Sequence, residues 1–468
     1  MLRYIAAVEA KYIIFMLCAL LGVPLGIVAC LARPALTRGV VMLMVWATCE
    51  PMKVGINFFS REFYRANTRG FEVTLADLCA LILFGYMLLK PKVFPMRWNP
   101  PLAWPTRFYL LVGLVSWSLV GPSLPVPTEA LRVPYDLFEV GLYPLFELFK
   151  ILRGYLLFWV ILNYVRDEKG ARDILWGIGI TVLYMGYLTL SSRYLDGIHR
   201  VKATLGHPNS LATYMAMMGS FCFAFCLQSR KWILSMLWGG LAVVCTVCVI
   251  LTISRGGLAS LLVGIWLNAM ILLPRHLNLK NIALLLLGIV LAGALLAAAM
   301  DTLAGRFVGE QDAASDMAYR GKYNDQARLM ASDHGFGVGL GNFSATSWHR
   351  YAAQVDPDLP PGTPAHNNWY LTLGELGWPG VVALALLWLR YFGLALPFYV
   401  RARKDLLSTL GLAGCTSIIV NHIQSLVQLG YRQTPLFSMT MIFMGLGVAV
   451  WYRRRTDRET GPVQAMGI

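Results

Sequence analysis

Apolar residues run along this chain in long stretches that short polar connections separate. A helix needs roughly 20 apolar residues to cross a bilayer. The stretches do not alternate apolar and polar residues as membrane strands do, so we expect helices. Their approximate bounds are 12–31, 36–50, 74–90, 107–121, 145–165, 173–192, 209–228, 232–253, 256–273, 281–300, 369–399, 406–425 and 433–452.

Two features of the sequence leave the number of helices open. The stretch 36–50 is short, and Pro24 can break the first stretch into a hairpin. We therefore predict 12 to 14 transmembrane helices, and the orientation of the N-terminus stays open. An unbroken first stretch puts Met1 outside, and a split one puts it inside. We expect no cleavable signal peptide, because the first apolar stretch is long and lacks a clean small-residue cleavage site.

Composition supports the same class. Of the 468 residues, 57% are hydrophobic and only 14% are charged, whereas soluble domains carry about 25% charged residues. The nine cysteines lie in or beside apolar stretches, so packing is their expected role. The chain has no Walker loop, no strand-led Gly-x-Gly-x-x-Gly and no His-Glu-x-x-His, so neither ATP use nor zinc hydrolysis is indicated. The prediction is an all-α polytopic membrane protein.

The net charge of +15 does not indicate nucleic-acid binding, because the bases sit in short connections between apolar stretches. By the positive-inside rule these connections are cytoplasmic. The bases are Lys90, Lys92, Arg97, Arg166, Lys169, Arg172, Arg230, Lys231, Arg275, Lys280, Arg401, Arg403, Lys404, Arg453, Arg454, Arg455 and Arg458.

The long connection 301–365 then falls outside the cell membrane. It holds eight acids against five bases, which agrees in sign with an external position. We divide the chain into an N-terminal bundle (1–300), a large periplasmic loop (301–365), C-terminal helices (366–453) and a cytoplasmic tail (454–468).

Unusual polar residues gather at the external connections. They occur in four segments, namely Arg200–Asn209, Thr252–Gly257, Gly335–Phe343 and His366–Gly380. If the topology holds, these segments share one face although they lie far apart in sequence. This convergence is the main argument for an active site there.

Each basic residue in these segments also has a structural explanation. Arg255 can extend to the lipid headgroups, but it lies on the external side between small residues, and an arginine at a membrane segment is costly and usually functional. Arg200 and Lys202 can be ordinary surface bases. His207 can fix a turn with Asn209 beside Pro208.

The other two segments have structural explanations as well. His366 can cap the helix that follows it, and Asn367 or Asn368 can do so instead. The glycine run 335–341 lacks the strand and helix of a nucleotide loop, so we expect it to permit close backbone approach.

Together these motifs resemble the O-antigen ligase and polymerase superfamily, over about residues 151–451. The resemblance rests on four motifs in this order: Gly-His-Pro-Asn at 206–209, Ser-Arg-Gly-Gly at 254–257, Gly-x-Gly-x-Gly-Asn-Phe ending at Phe343, and His-Asn-x9-Gly-x-x-Gly at 366–380. Each is weak alone, and their order and spacing around one large loop are specific.

The resemblance implies a GT-C-like membrane enzyme of the bacterial inner membrane, with its site facing the periplasm. It would transfer a glycan from undecaprenyl diphosphate to an acceptor hydroxyl by inversion, without ATP or another cofactor, and we expect no divalent metal. His366 matches the proposed catalytic histidine, and Arg255 with Arg200 or Lys202 matches the diphosphate-binding bases. Supporting positions are His207, Asn209, Asn367, Arg320, Gly339 and Gly341.

Alternatives remain at two levels. A polymerase would use a second lipid-linked glycan as acceptor, and a ligase would use lipid A core or protein; we favour a surface-polysaccharide or O-antigen polymerase. A flippase of lipid-linked sugars would share the many spans and a basic cavity. Against it, the sequence has no evident internal repeat, and the polar residues gather at one face rather than at the midplane. A purely structural anchor would leave Arg255 and His366 without a role.

Overall fold

Helices account for nearly all of the described architecture. The computed structural model describes residues 11–51, 53–58, 70–120, 137–229, 231–275, 279, 281–283, 286, 310–359, 362–400 and 405–459. The helices are α1 (Lys11–Ala32), α2 (Leu36–Ala47), α3 (Leu75–Leu88), α4 (Ala103–Val120), α5 (Leu137–Tyr164), α6 (Glu168–Tyr194), α7 (Pro208–Gln228), α8 (Trp232–Leu251), α9 (Arg255–Leu272), α10 (Glu310–Asp333), α11 (Phe343–Thr346), α12 (Ala352–Val355), α13 (Asn368–Val400), α14 (Leu406–Gln424) and α15 (Thr434–Glu459).

Eight of the described helices are long and apolar enough to cross a membrane, namely α1, α6, α7, α8, α9, α13, α14 and α15. Helices α2 and α3 are apolar but shorter. The protein is an all-α polytopic membrane protein, as the sequence predicts. Most of the expected span 281–300 lies outside the described residues, as do Arg230, Lys280, Arg401, Arg403 and Lys404 and the tail from 460. The total of 12 to 14 spans stays a prediction.

The alternative that Pro24 splits the first span is wrong. Helix α1 runs without a hairpin from Lys11 to Ala32, through a π-helical turn at Cys18–Gly22. Pro24 follows that turn at the start of the regular segment Val23–Ala32, where a missing N–H costs little. Tyr12 then donates a hydrogen bond to the Asn57 carbonyl (2.7 Å) in strand β1 (Gly55–Phe58).

Helix α7 forms the centre of the bundle. In its most apolar window, 94% of the residues are buried, and it packs against α8, α9 and α14. Its polar neighbours are satisfied: Asn268 donates to the Ser220 carbonyl (2.9 Å) and accepts from Thr416 (3.1 Å). Eight of the nine cysteines are buried and all are unbridged, which agrees with the packing role expected for them.

Two of the basic connections meet each other and α15 at one end of the bundle. Arg166 donates to the Pro95 carbonyl (2.6 Å), and Arg97 donates to the Leu162 carbonyl (3.4 Å) and covers the Tyr452 ring. The helices that leave this end carry the polar motifs to the opposite one. Antiparallel packing thus separates the two sets of residues.

The described part of the connection 301–365 is folded rather than extended. Helix α10 packs along α13, and a second small core joins Tyr323 and Met330 to Phe343, Tyr351 and Leu371. Toward the surface of this folded part, Lys322 pairs with Asp356. This folded cap, α10 to α12, covers the end of the bundle that carries the motifs.

Candidate functional site

His366 stands immediately before α13, but it does not cap that helix. The Asn367 side chain is the cap, because its oxygen accepts from the backbone N–H groups of Trp369 (2.9 Å) and Tyr370 (3.4 Å). The His366 ring is half-buried and stacks on Tyr323 of the cap, with centroids 6.1 Å apart. Its Nδ1 lies 3.0 Å from the Pro364 carbonyl oxygen. The explanation of His366 as a cap is therefore wrong.

The segment 200–209 is tied together by its own side chains. His207 precedes α7, and its Nδ1 accepts the Asn209 backbone N–H (3.1 Å). Arg200 donates to the Asn209 side-chain oxygen (3.0 Å) and to the Thr252 carbonyl (3.3 Å). The predicted contact of His207 with Asn209 is confirmed. It belongs to a network of hydrogen bonds that joins the start of α7 to the segment before α9.

Electrostatics connects this segment with His366. Burial lowers the pKa of His207 below its ordinary value, and the nearby Arg200, His366 and Lys202 lower it further. Three bases from the polar segments therefore act on one imidazole. This region favours negative charge, and His207 itself is held neutral at pH 7.

Arg255 is the first residue of α9, and its side chain is exposed. Ser254 caps the helix by accepting the Gly257 N–H (3.3 Å). Gly256 lies so close to the end of α14 that a Cβ there would approach Gln424 Oε1 to 2.8 Å. Small residues around Arg255 thus let two helices meet without covering the guanidinium.

The end of α14 links α9 with the start of α13. The Ser425 carbonyl, one residue after Gln424, accepts the Asn368 N–H (2.9 Å). Arg320 of the cap donates to the nearby Val427 carbonyl (3.2 Å). Arg320 is three residues from Tyr323, the residue that stacks on His366. The structure thus brings the predicted residues to one end of the bundle, around the turn 425–432.

The glycine run makes the close backbone approach expected of it. Gly337, Gly339 and Gly341 have positive φ angles of 70°, 94° and 77°, a region that glycine enters without strain. Val338 N–H donates to the Gly374 carbonyl (3.0 Å), and Gly339 N–H donates to the Glu375 carbonyl (2.8 Å). The run therefore bonds to α13 through its backbone.

These bonds fall beside a break in α13. Gly377 has φ 63° and ψ −166°, so the regular helix stops there and resumes beyond it. A Cβ at Gly377 would collide with the Gly335 carbonyl. The part from Asn368 to Leu376, which begins two residues after His366, is thus a separate helical segment.

Four buried charged residues form a cluster that sequence reasoning missed: Glu147, Lys150, Glu375 and Arg432. Arg432 bonds to Glu375 and lies 3.3 Å from Glu147, and Lys150 lies 3.8 Å from Glu147 and donates to the Arg432 carbonyl. The available signal was an ionisable residue inside an apolar stretch, which is rare and usually functional. Glu375 even lies inside the motif 366–380.

A cavity of about 70 Å³ adjoins this cluster, between α4, α5, α13 and α15. Its polar lining includes Tyr109, Lys150, Asn368 and Arg432, and the rest is mainly apolar. Asn368 connects the cavity to the helix start beside His366. The buried cluster and the exposed bases therefore lie at the same end of the protein, with the cluster inside and the bases at the surface.

Among the described residues, no group of three or more His, Cys, Asp or Glu is arranged to hold a metal ion. Directly after the cap, however, the connection 301–365 contains an Asp-x-Asp sequence, Asp356–Asp358. Its first carboxylate pairs with Lys322 and accepts the Asp358 N–H (2.9 Å). The expectation of no divalent metal assumed that this connection lacks an Asp-x-Asp sequence, and that assumption is wrong.

Comparison with known proteins agrees with the motifs. Residues 240–385 match the family model described as O-Antigen ligase. No curated protein matches the chain. The matched region begins in α8 and contains Arg255, Arg320, the glycine run and His366, whereas Arg200 to Asn209 precede it. Over residues 240–385 the chain is similar to the O-antigen ligase family, and this match supports the resemblance to the O-antigen ligase and polymerase superfamily that the motifs indicate.

Proposed function

We propose that the protein transfers a glycan from undecaprenyl diphosphate to an acceptor hydroxyl at the periplasmic face of the bacterial inner membrane. The observation that carries the proposal is that Arg200, which bonds to Asn209, and Lys202 and His366 all lie near enough to His207 to lower its pKa. The O-antigen ligase match supports the same class of reaction. The already energised donor makes a nucleotide cofactor unnecessary.

The bases would bind the diphosphate of the donor. Arg255 is exposed at a helix N-terminus, where the dipole also favours an anion. An arginine fork donates paired, charge-assisted bonds to phosphate oxygens. Arg200 is oriented by Asn209 and the Thr252 carbonyl, whereas Lys202 is exposed and would act as a point charge.

His366 would accept the proton of the attacking hydroxyl. The Pro364 carbonyl can only accept a hydrogen bond, so Nδ1 of His366 carries the proton in that contact. In a neutral imidazole, Nε2 then holds the lone pair that a general base needs. The acceptor oxygen bonds to the anomeric carbon, the carbon–oxygen bond to the diphosphate breaks, and the diphosphate leaves with the electron pair. We propose inversion, and no divalent metal in this step.

Transfer is tested with purified protein and a lipid-linked glycan. We expect new glycosidic bonds and release of undecaprenyl diphosphate, both undiminished by a metal chelator. A flippase would move the donor across a vesicle membrane and form no bond. Chelator-sensitive transfer would contradict metal independence alone.

The periplasmic position is tested by labelling single cysteines in a background without the native ones. A cysteine at exposed Ala353 of the cap should react with a membrane-impermeant thiol reagent added outside spheroplasts, and so should one at Ser315 of α10. A cysteine at Ser229, at the basic end, should react only after lysis. The reverse pattern would place the candidate site in the cytoplasm.

Polymerase and ligase differ in the acceptor, and we favour the polymerase. A deletion strain separates them. Single capped repeats without polymer would identify a polymerase. Accumulation of full-length lipid-linked polymer would identify a ligase that acts on lipid A core or protein.

A further inference from the structure

We propose that Glu375 is a positioning residue for the transfer reaction: its buried ion pair with Arg432 holds the helical segment that carries His366 against the rest of the bundle. This inference rests on the proposed function. It concerns a residue that neither the motif resemblance nor the exposed site assigns a role.

The segment needs an anchor because α13 is not continuous. The break at Gly377 separates Asn368–Leu376 from the long apolar part that follows. This piece has roughly two and a half helical turns, and helices of that length are marginal alone. The membrane-embedded part of α13 therefore does not by itself set the orientation of His366.

Three contacts hold the segment. At its start, Asn368 donates to the Ser425 carbonyl (2.9 Å). Along its side, the glycine run bonds to the Gly374 and Glu375 carbonyls. At its end, the Glu375 carboxylate bonds to Arg432, and the Gly341 backbone N–H also interacts with that carboxylate. Glu375 takes part in two of these contacts, through its carbonyl with the glycine run and through its carboxylate with Arg432.

Arg432 is itself anchored to α5. Its Nη1 lies 3.3 Å from Glu147, and its backbone carbonyl accepts from the Lys150 ammonium. The four side chains are 0 to 6% exposed, and they comprise two acids and two bases. The cluster is neutral as a whole, which permits its burial.

The anchor continues beyond α5. Arg153, one turn after Lys150, pairs with Asp77 of α3 (3.1 Å) and with Glu72 of strand β2 (Phe71–Thr74; 3.6 Å). Thr434, at the start of α15, donates to Glu72 (2.6 Å). The support under the His366 segment therefore reaches four separate elements.

Orientation explains this cluster better than stability does. A buried ion pair often contributes little net stability compared with apolar residues of similar volume, because both charges lose hydration. The planar arginine fork does, however, fix direction. Glu375 lies about 10 Å along the helix axis from Asn368 at 1.5 Å per residue, and His366 precedes Asn368, so direct proton exchange between Glu375 and His366 is excluded. Its effect must pass through the position of the segment.

The test compares Glu375→Gln with Glu375→Gln/Arg432→Met. The single variant keeps the shape of the side chain and leaves one uncompensated positive charge in the cluster. The double variant restores neutrality, with the Glu147–Lys150 pair intact, but lacks the link to α13. Glu168→Gln is the matched control, because Glu168 pairs with Arg172 on the exposed surface at the opposite end (2.9 Å).

We expect both Glu375 variants to lose about 10²-fold in kcat per donor-binding site, as small misplacements of a catalytic group do. The KM for the donor and the pKa values of the pH–rate profile should stay unchanged, because the bases and His366 are retained. The midpoint of thermal unfolding should fall in the single variant and recover in the double one. Glu168→Gln should resemble the wild type.

Normal kcat per donor-binding site in either Glu375 variant would overturn the inference, whatever the stability. Recovery of kcat together with stability in the double variant would show a purely structural role and would also overturn it. A shifted pKa in the pH–rate profile would indicate direct participation in proton transfer, against positioning. A wild-type protein that forms no glycosidic bond would instead overturn the proposed function.

Discussion

Two sets of charged residues at the same end of the protein differ in how their charges are satisfied. Arg255 and Lys202 are exposed. Glu375 and Arg432, by contrast, are buried and bind each other and further buried charges. The first set can receive an anion from outside, whereas the second is already neutralised within the protein.

This difference separates residues that can bind an anion from residues that hold the helices in place. On the proposed function, the exposed cations bind the donor diphosphate, and they lose little hydration before it arrives. A buried ion pair cannot change partners without leaving a charge uncompensated, which is strongly destabilising. Substitutions in the two sets should therefore have different effects. Those in the first set should change the rate of transfer or the affinity for the donor, and those in the second should change the position of the helical segment that follows His366.

The largest expected effect concerns His366, which is half-buried and lies near the exposed bases. His366→Ala and His366→Gln should each lower glycan transfer by about 10²–10⁴-fold, the usual contribution of proton transfer, without weakening donor binding. Because Asn367 is the helix cap, His366→Asn should be equally inactive. Turnover is measured at matched expression, with His199→Ala, an exposed histidine at the same end, as control. Retained turnover in the asparagine variant would remove His366 from the mechanism.

Arg255 should have the next largest effect. Loss of one donor to a developing negative charge costs about 10²–10³-fold in kcat, so Arg255→Ala should reach that range. Arg255→Lys should recover part of the loss, because it keeps the charge without the fork. Arg193→Ala is the control, because Arg193 lies at the same end outside the four motifs and donates to the His199 carbonyl (2.8 Å). Full activity of the lysine variant would show that a point charge suffices.

Gly377 tests the supporting layer through stability. Gly377→Ala would place a side chain at φ 63°, which costs about 1–3 kcal/mol in strain alone, and its Cβ would collide with the Gly335 carbonyl. The midpoint of thermal unfolding should fall clearly. Gly393→Ala is the matched control in the same helix, because its Cβ would meet nothing within 4 Å. Equal unfolding midpoints for the two variants would contradict the role of the break.

His207 should give the smallest effect, visible only in its pH dependence. Its folded-state pKa lies below the ordinary 6.5, so the neutral form is favoured on folding. The associated stability is complete above pH 6.5 and is lost as pH falls through the lowered pKa. Asparagine is a preferred cap that does not titrate, so His207→Asn should reduce the loss of stability between pH 7 and 5. An unchanged pH dependence would contradict this assignment.

Sequence alone determined the class of the protein and the exposed half of the candidate site. Long apolar stretches require helices in lipid because backbone groups there must bond internally, and this follows from composition without knowledge of packing. The four polar motifs could be found because each interrupts or borders an apolar stretch. The glycine run was interpreted correctly, since glycine repeats permit backbone contacts that other residues prevent.

Only the tertiary structure decided which residues support the site. The sequence left His366, Asn367 and Asn368 as possible caps, and the bonds to Trp369 and Tyr370 select Asn367. It left Pro24 as a possible break, and α1 proves continuous there. Glu375 and Arg432 are 57 positions apart, and no local pattern indicates their pairing. The physical reason is that local sequence determines helices and caps, whereas neutralisation of a buried charge depends on which distant side chain the packed helices bring beside it.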